Sequence, residues 1–210
     1  MQYCKYFFGS SYHCIYKLFL ILQSFVLQQI LWENRRIGDT LNDCLASVDG
    51  TDFRIPQITP WSRAWYSHKF NGPGLRYEVA VCIHTGAIVW VHGPFPAGDY
   101  ADITIFRHAL IFMLDDDERV EADDGYRGEY PRKCKIPDPL DSISAASMRR
   151  RVMQRHETVN KRFKNFGCLK RVFRHKLIFH SACFRAVAVI TQLAFDNGEP
   201  VFEVHYDDQM

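Results

Sequence analysis

The chain has 210 residues, a length typical of one domain that buries a single hydrophobic core. Apolar residues make up 47% and charged residues 24%, with a net charge of +2. This composition excludes a disordered chain, a collagen-like chain and a polytopic membrane protein. The seven cysteines are odd in number and form no Cys-x-x-Cys pair, which argues against a disulfide framework or a zinc ribbon. They favour a reducing compartment, the nucleus or the cytosol.

The first part of the chain is an apolar stretch, 15–32, interrupted by Lys17 and three glutamines. Its apolar residues recur near helical spacing, which predicts an amphipathic helix packed on the core. A membrane anchor is the alternative, but a spanning helix needs about 20 residues with few polar ones among them. A polar connector follows, and we take 1–44 together as an N-terminal helix and connector.

Three strands are predicted next. The segment 45–55 alternates between two faces and ends before Pro56. The segments 75–84 and 87–92 are separated only by Thr85-Gly86, which is typical of a tight hairpin.

The remaining elements are predicted in the order helix, strand, long helix, helix and a last short strand. Asp102 precedes an apolar helical pattern and is predicted to be its N-cap residue. Ser142 or Ser144 is predicted to cap a long helix that runs to about Phe166. Three further elements are a strand over 119–122, a helix over about 176–193 and a last strand over 201–206. This order predicts an α/β fold: a mixed sheet whose first three strands are antiparallel, followed by a crossover strand and flanked by helices.

The basic residues are concentrated in one segment, 149–176, which holds eleven Lys or Arg and a single acid, Glu157. The rest of the chain is net acidic, so the small net charge hides a strong asymmetry. A dense basic segment is typical of a phosphate-backbone partner. A solvated helix face is the alternative, although such a face more often mixes charges of both signs.

Three acids are candidates for a metal site. Asp49 lies within a predicted apolar strand, where a charge is costly unless it is paired or binds a metal. Asp123 follows another strand, and Glu157 lies on the basic helix. Each also has a structural explanation: Asp49 could open a bulge, Asp123 could form a turn before Gly125, and Glu157 could pair with Lys161 four residues on.

Several segments together resemble the nuclease domain of PIF/Harbinger-type transposases, the DDE superfamily endonuclease group, which includes domesticated host proteins. The resemblance covers roughly 32–206 and its motifs occur in the family's order. They are VDGTDFRI (48–55), WYSHK (65–69), GPFPAGDYADITIFR (93–107), EADDGYRGE (121–129) and RHETVNKRFKNFGCLKRVFRH (155–175).

The resemblance implies an RNase H-like fold for 45–210 and a two-metal DDE site that cuts DNA phosphodiester bonds with Mg²⁺ or Mn²⁺. The matched motifs place the three acids of that site at Asp49, Asp123 and Glu157. We expect Asp102, which also matches a recurrent acid, to cap its helix. The basic residues expected to contact DNA phosphates are Arg155, Lys161, Arg162, Lys164 and Lys170.

Such transposases usually carry a helix-turn-helix region ahead of the nuclease domain, and 1–44 is too short for one. We therefore expect this region to be a truncated remnant, and target recognition to come from a separate DNA-binding partner protein. The resulting hypothesis is a nuclear or cytoplasmic, metal-dependent DNA endonuclease. The alternative is a catalytically inactive, domesticated or decaying DNA-binding or scaffold protein.

Overall fold

The computed structural model describes residues 30–38 and 43–201. Within these ranges the strands are β1 (Cys44–Arg54), β2 (Tyr66–Ser67), β3 (Gly72–Cys82), β4 (Ile88–Pro96), β5 (Arg119–Glu121) and β6 (Cys134–Lys135). The α-helices are α1 (Asp102–His108), α2 (Ile143–Phe163), α3 (Gly167–Lys170) and α4 (His180–Asp196). Short 3₁₀ helices span Trp32–Arg36, Arg63–Trp65, Leu110–Met113, Asp124–Glu129 and Leu177–Phe179.

Strand β1 lies at the centre of a mixed sheet. It pairs antiparallel with β3 on one side and parallel with β5 on the other. Strand β4 pairs antiparallel with β3, β6 pairs parallel with β5, and the short β2 pairs with the start of β3. A parallel neighbour requires a crossover connection, and the chain makes it from β4 through α1 to β5. The predicted α/β class, with a mixed sheet flanked by helices, is confirmed.

Alternate residues of the central strands lie in two separate hydrophobic cores, one on each face of the sheet. On one face, Val48 and Ala80 pack with Phe106 of α1. On the other, Phe53 and its neighbours pack with helices α2 and α4, through Phe184 among others. Because both faces are covered, β1 and β3 are buried along nearly their whole length. Residues of opposite parity on β1 therefore face different helices.

One local prediction is confirmed in atomic detail and a second in part. Ser142 is the N-cap residue of α2, and its side chain accepts a hydrogen bond from the Ala145 amide at 3.1 Å. The predicted hairpin is present, but its turn is longer than predicted, because β3 ends at Cys82 and β4 begins at Ile88; the turn contains Gly86, whose φ of +77° favours glycine. The Gly86 amide donates to the Cys82 carbonyl at 2.9 Å.

Other predictions need correction or lie outside the described residues. Strand β6 lies between the predicted strand 119–122 and the predicted long helix, where no element was predicted from the sequence. Trp32, predicted to end a long helix, instead begins the 3₁₀ helix Trp32–Arg36, and the rest of that predicted helix lies outside the described residues. The predicted last strand, 201–206, also lies outside the described residues, except for Val201, which is not in a strand.

Within the described ranges, one segment, Leu177–Asp196, is long and apolar enough to cross a membrane, with a mean hydropathy of 1.5. Its residues Phe184, Val187 and Ala188 pack against the sheet. We interpret this segment as a core helix, because the same composition is expected of a helix that packs on a buried sheet.

Candidate functional site

Two neighbouring parallel strands bring Asp49 and Asp123 together. Ser47 of β1 lies opposite Glu121 of β5, so Asp49, in the middle of β1, and Asp123, just past the end of β5, each lie two positions further along in the same direction. Asp123 is exposed and caps the 3₁₀ helix Asp124–Glu129, accepting from the Gly125 amide at 2.8 Å. Asp49 is half-buried, with 24% of its side chain exposed. Two of the three predicted acids are therefore neighbours.

The surroundings of Asp49 control its charge. Burial raises the pKa of Asp49 above its ordinary value, and the negative charge of Asp123 raises it further. Lys69 opposes this, because its Nζ lies 4.0 Å from Asp49 Oδ1 and also donates to the Gly50 carbonyl. On the opposite side, Asn160 Nδ2 of helix α2 donates to Asp49 Oδ2 at 3.0 Å.

Glu157 is not in contact with that pair. Its side chain is 66% exposed, and its Oε1 lies 3.4 Å from Lys161 Nζ, the pairing that the sequence left open as an alternative. Glu157 and Asp123 nevertheless bound the same cavity, which has a volume of about 730 Å³. The third predicted acid therefore lines a cavity that it shares with Asp123 but not with Asp49, and its own side chain is exposed.

Asp102 differs from the prediction. The N-cap residue of α1 is Ala101, without a side-chain capping bond, and Asp102 is the first helical residue. The Asp102 carboxylate is 16% exposed and lies 3.4 Å from Arg76 Nε, on the α1 side of β1. Burial raises the pKa of Asp102, and Arg76 opposes the shift. The side chain therefore forms a tertiary contact in place of the predicted local cap.

Further polar groups lie on the α1 side of the strands. Glu78 of β3 is 1% exposed and accepts a hydrogen bond from Trp90 Nε1 at 3.0 Å. Burial raises the pKa of Glu78 to about 8. Asp52 accepts two hydrogen bonds from Arg76, at 2.7 and 2.9 Å, and these lower the pKa of Asp52 although burial alone would raise it.

The residues predicted to bind phosphate differ in how exposed their side chains are. Lys161, Lys164 and Lys170 are exposed, whereas Arg162 is partly covered and pairs with Glu199. Arg155 requires a correction: it is 4% exposed and donates to the Ile83 carbonyl at 2.7 Å. Its guanidinium is therefore part of the interior and does not present a surface to phosphate.

Sequence reasoning missed Asn160 and Lys69. The buried face of α2 has a helical spacing that includes Val152, Val159 and Phe163. That spacing also places Asn160 on the buried face, so the pattern carried a usable signal. Lys69 carried no comparable signal, because its position beside Asp49 depends on the tertiary path of the loop between β2 and β3.

The donor chemistry of the site fits a hard cation. Among residues 30–38 and 43–201, no three His, Cys, Asp or Glu side chains come close enough together to hold one metal ion. Mg²⁺, however, is usually bound through one or two carboxylates, with water and substrate phosphates as the remaining ligands. The adjacent carboxylates of Asp49 and Asp123 supply such a pair of oxygen donors, and Asn160 brings a buried amide to the same place.

Comparison with protein-family models, with curated proteins and with solved structures finds no match to the chain. The functional argument therefore depends on the sequence pattern and on the geometry of the site.

Proposed function

We propose that the chain is a divalent-metal-dependent DNA nuclease of the transposase-derived DDE type. The observation that carries the proposal is the proximity of Asp49, in the middle of β1, to Asp123, just past the end of the parallel neighbour β5. Carboxylates placed side by side repel each other unless a cation or a proton lies between them. Nearby Lys69 reduces this repulsion only in part, because burial still leaves the pKa of Asp49 raised.

The sheet supports an RNase H-like fold as part of the same proposal. Strands β1, β3 and β4 form an antiparallel set, and the crossover strand β5 then returns parallel to β1. This is the arrangement implied by the resemblance to DDE nucleases. It places the acid of the first strand beside the acid that follows the crossover strand.

The proposed metal ligands are Asp49, Asp123 and Glu157, which would hold Mg²⁺ or Mn²⁺. The bound cations would neutralise charge on the phosphate and lower the pKa of the attacking hydroxyl group or water. Glu157 would have to leave Lys161 in order to join the other two acids. An exposed i,i+4 pair of this kind is worth only about 0.3–0.5 kcal/mol, so the cost of the movement is small.

Basic residues beside the acids would hold the DNA backbone. Lys69 lies next to Asp49, and Lys164 follows the end of α2, where partial burial and the nearby Lys69 lower its pKa. The exposed Lys161 and Lys170 extend the positive charge along the same segment. Lysines contact phosphates without reading base sequence, so these residues would position DNA but would not select a target. A separate DNA-binding partner protein and a nuclear location remain parts of the proposal.

Cleavage of supercoiled plasmid DNA in the presence of Mg²⁺ or Mn²⁺ tests the proposal. Asp49→Asn and Asp123→Asn should each lower the cleavage rate roughly a hundredfold or more, because metal sites supply several kcal/mol of transition-state stabilisation. Asp116→Asn, in the exposed turn before β5, is the matched control and should keep the wild-type rate. Cleavage by Asp49→Asn and Asp123→Asn at the wild-type rate would exclude this site.

A second candidate is a DNA-binding protein without nuclease activity. It is favoured by the outward position of Glu157 and its pairing with Lys161. This candidate predicts DNA binding that is unaffected by Mn²⁺ or by chelation, together with no cleavage at any metal concentration. DNA binding alone does not separate the two candidates, since both depend on the same basic segment.

A further inference from the structure

Helix α2 and strand β1 are joined by two hydrogen-bonded pairs in matching register. Ser47 Oγ lies 2.8 Å from His156 Nδ1, and Asn160 Nδ2 donates to Asp49 Oδ2 at 3.0 Å. The two β1 residues are two positions apart and share one face of the strand, and the two α2 residues are four apart and share one face of the helix. The first pair lies inside the fold, whereas the second lies at the carboxylate site.

Only one of the two polar atoms of the Asn160 amide has a hydrogen-bond partner among the described residues. The side chain is 6% exposed, and its Nδ2 is used by Asp49, but within the described ranges Oδ1 is buried without a hydrogen-bond partner. A buried carbonyl oxygen without a partner is unfavourable, so its presence beside a carboxylate requires an explanation. Both atoms belong to one planar amide, so Oδ1 is held in the same neighbourhood as the Asp49 carboxylate.

We propose that Asn160 is part of the cation site: Nδ2 fixes the orientation of Asp49, and Oδ1 is an oxygen ligand of the Mg²⁺ or Mn²⁺ that Asp49 holds. This inference rests on the proposed function. Hard divalent cations accept carbonyl oxygen as well as carboxylate and water. A hydrogen bond to a metal-binding carboxylate also typically contributes to metal affinity.

A neutral ligand suits this position. Asp49 and Asp123 already repel each other, and a third carboxylate at position 160 would increase that repulsion in the absence of metal. An amide oxygen adds a ligand without adding charge. Asn160 also lies on the buried face of α2, whereas Glu157 lies on an exposed one, so Asn160 is in place without a change of rotamer.

The test is Mn²⁺ affinity measured by calorimetry on the full chain and four variants. Asn160→Leu keeps the branched shape and the number of side-chain heavy atoms and removes both amide functions, and it should weaken Mn²⁺ binding about tenfold or more. Ser47→Ala is the matched control, because it breaks the neighbouring pair in the same interface. It should lower the unfolding temperature and leave Mn²⁺ affinity unchanged.

Asn160→Cys separates a ligand from a residue that only orients Asp49. A thiolate favours Zn²⁺ over Mn²⁺, so the ratio of Zn²⁺ to Mn²⁺ affinity should rise above that of the wild type. Cysteine is smaller than asparagine, so this variant also serves if Asn160→Leu fails to fold. Equal proportional losses for both metals would overturn the ligand role.

The outcomes also separate this inference from the proposed function. Wild-type Mn²⁺ binding that Asp49→Asn abolishes and Asn160→Leu leaves intact would overturn the role of Asn160 alone. A folded wild-type protein that binds no Mn²⁺, with or without DNA, would overturn both.

Discussion

The carboxylate of Asp102 lies against the backbone of Gly50, so close that a Cβ at position 50 would come within 1.8 Å of Asp102 Oδ1. Helix α1 and strand β1 therefore meet at a point where only glycine leaves room for the acid. Because Gly50 directly follows Asp49, this contact lies on the opposite face of β1 from the carboxylate proposed to bind metal.

Gly50→Ala should lower the free energy of unfolding by about 1–3 kcal/mol, since the added methyl group overpacks a contact that is largely buried. The double variant Gly50→Ala/Asp102→Ala should lose less free energy of unfolding than the two single variants lose in sum, because removal of the carboxylate makes room for the methyl group. Urea denaturation of the four proteins gives the coupling energy. Strictly additive effects would show that the two residues do not share this space.

The pH dependence of stability should contain a contribution from Glu78. Its pKa is raised to about 8 in the folded state, against 4.5 ordinarily, so the folded state retains a proton that the unfolded state loses. Stability from this group is fully present below about pH 4.5 and falls as the pH rises towards 8. Glu78→Gln keeps an acceptor for Trp90 and removes this loss.

Denaturation midpoints measured at several pH values across that window test the assignment. The wild type should lose more stability with rising pH than Glu78→Gln. Asp117→Asn, in the exposed turn before β5, is the control and should follow the wild-type curve. Parallel curves for the wild type and Glu78→Gln would contradict the assignment.

Salt dependence of DNA binding should identify the lysines that contact phosphate. Each phosphate contact contributes about 0.9 to the slope of log affinity against log salt concentration. Lys164→Gln and Lys170→Gln should each reduce that slope by roughly this amount if each makes one contact. Fluorescence anisotropy with a duplex at several salt concentrations gives the slopes.

Arg132→Gln is a matched control, because it removes one charge from a residue that is 75% exposed and lies just before β6. It should leave the slope unchanged. A slope that fell equally in all three variants would indicate a general effect of net charge and not a binding surface at the end of α2.

The elements that the sequence predicted well are those whose pattern is local and repeated. Strand β1 runs for eleven residues between turn-forming segments, and helix α2 begins directly after a serine that caps it. Strand β6 was missed because it has only two residues, between prolines, and is defined by pairing with β5. Asp102 was assigned to a cap because capping depends on neighbouring residues, whereas its contact with Gly50 joins residues that are far apart in the sequence.

The candidate site was predictable in part for the same reason. Asp49 lies within a strand and Asp123 just after one, and both strands were predicted from the sequence. Arg155 and Asn160 were harder to place, because charged and polar side chains are not expected on the face of α2 that is buried against the sheet. Glu157 was predicted as the third acid of the site partly because it is the lone acid of the basic segment, but in the structure it lies on an exposed face of α2.

Mn²⁺ binding by calorimetry, with the wild type beside Asp49→Ala and Asp123→Ala, tests the central claim most directly. The account predicts that the wild type binds Mn²⁺ and that each substitution abolishes binding while the protein remains folded. Binding that survives both substitutions, or a folded wild type that binds no Mn²⁺ even with DNA present, would contradict a metal site formed by these two acids.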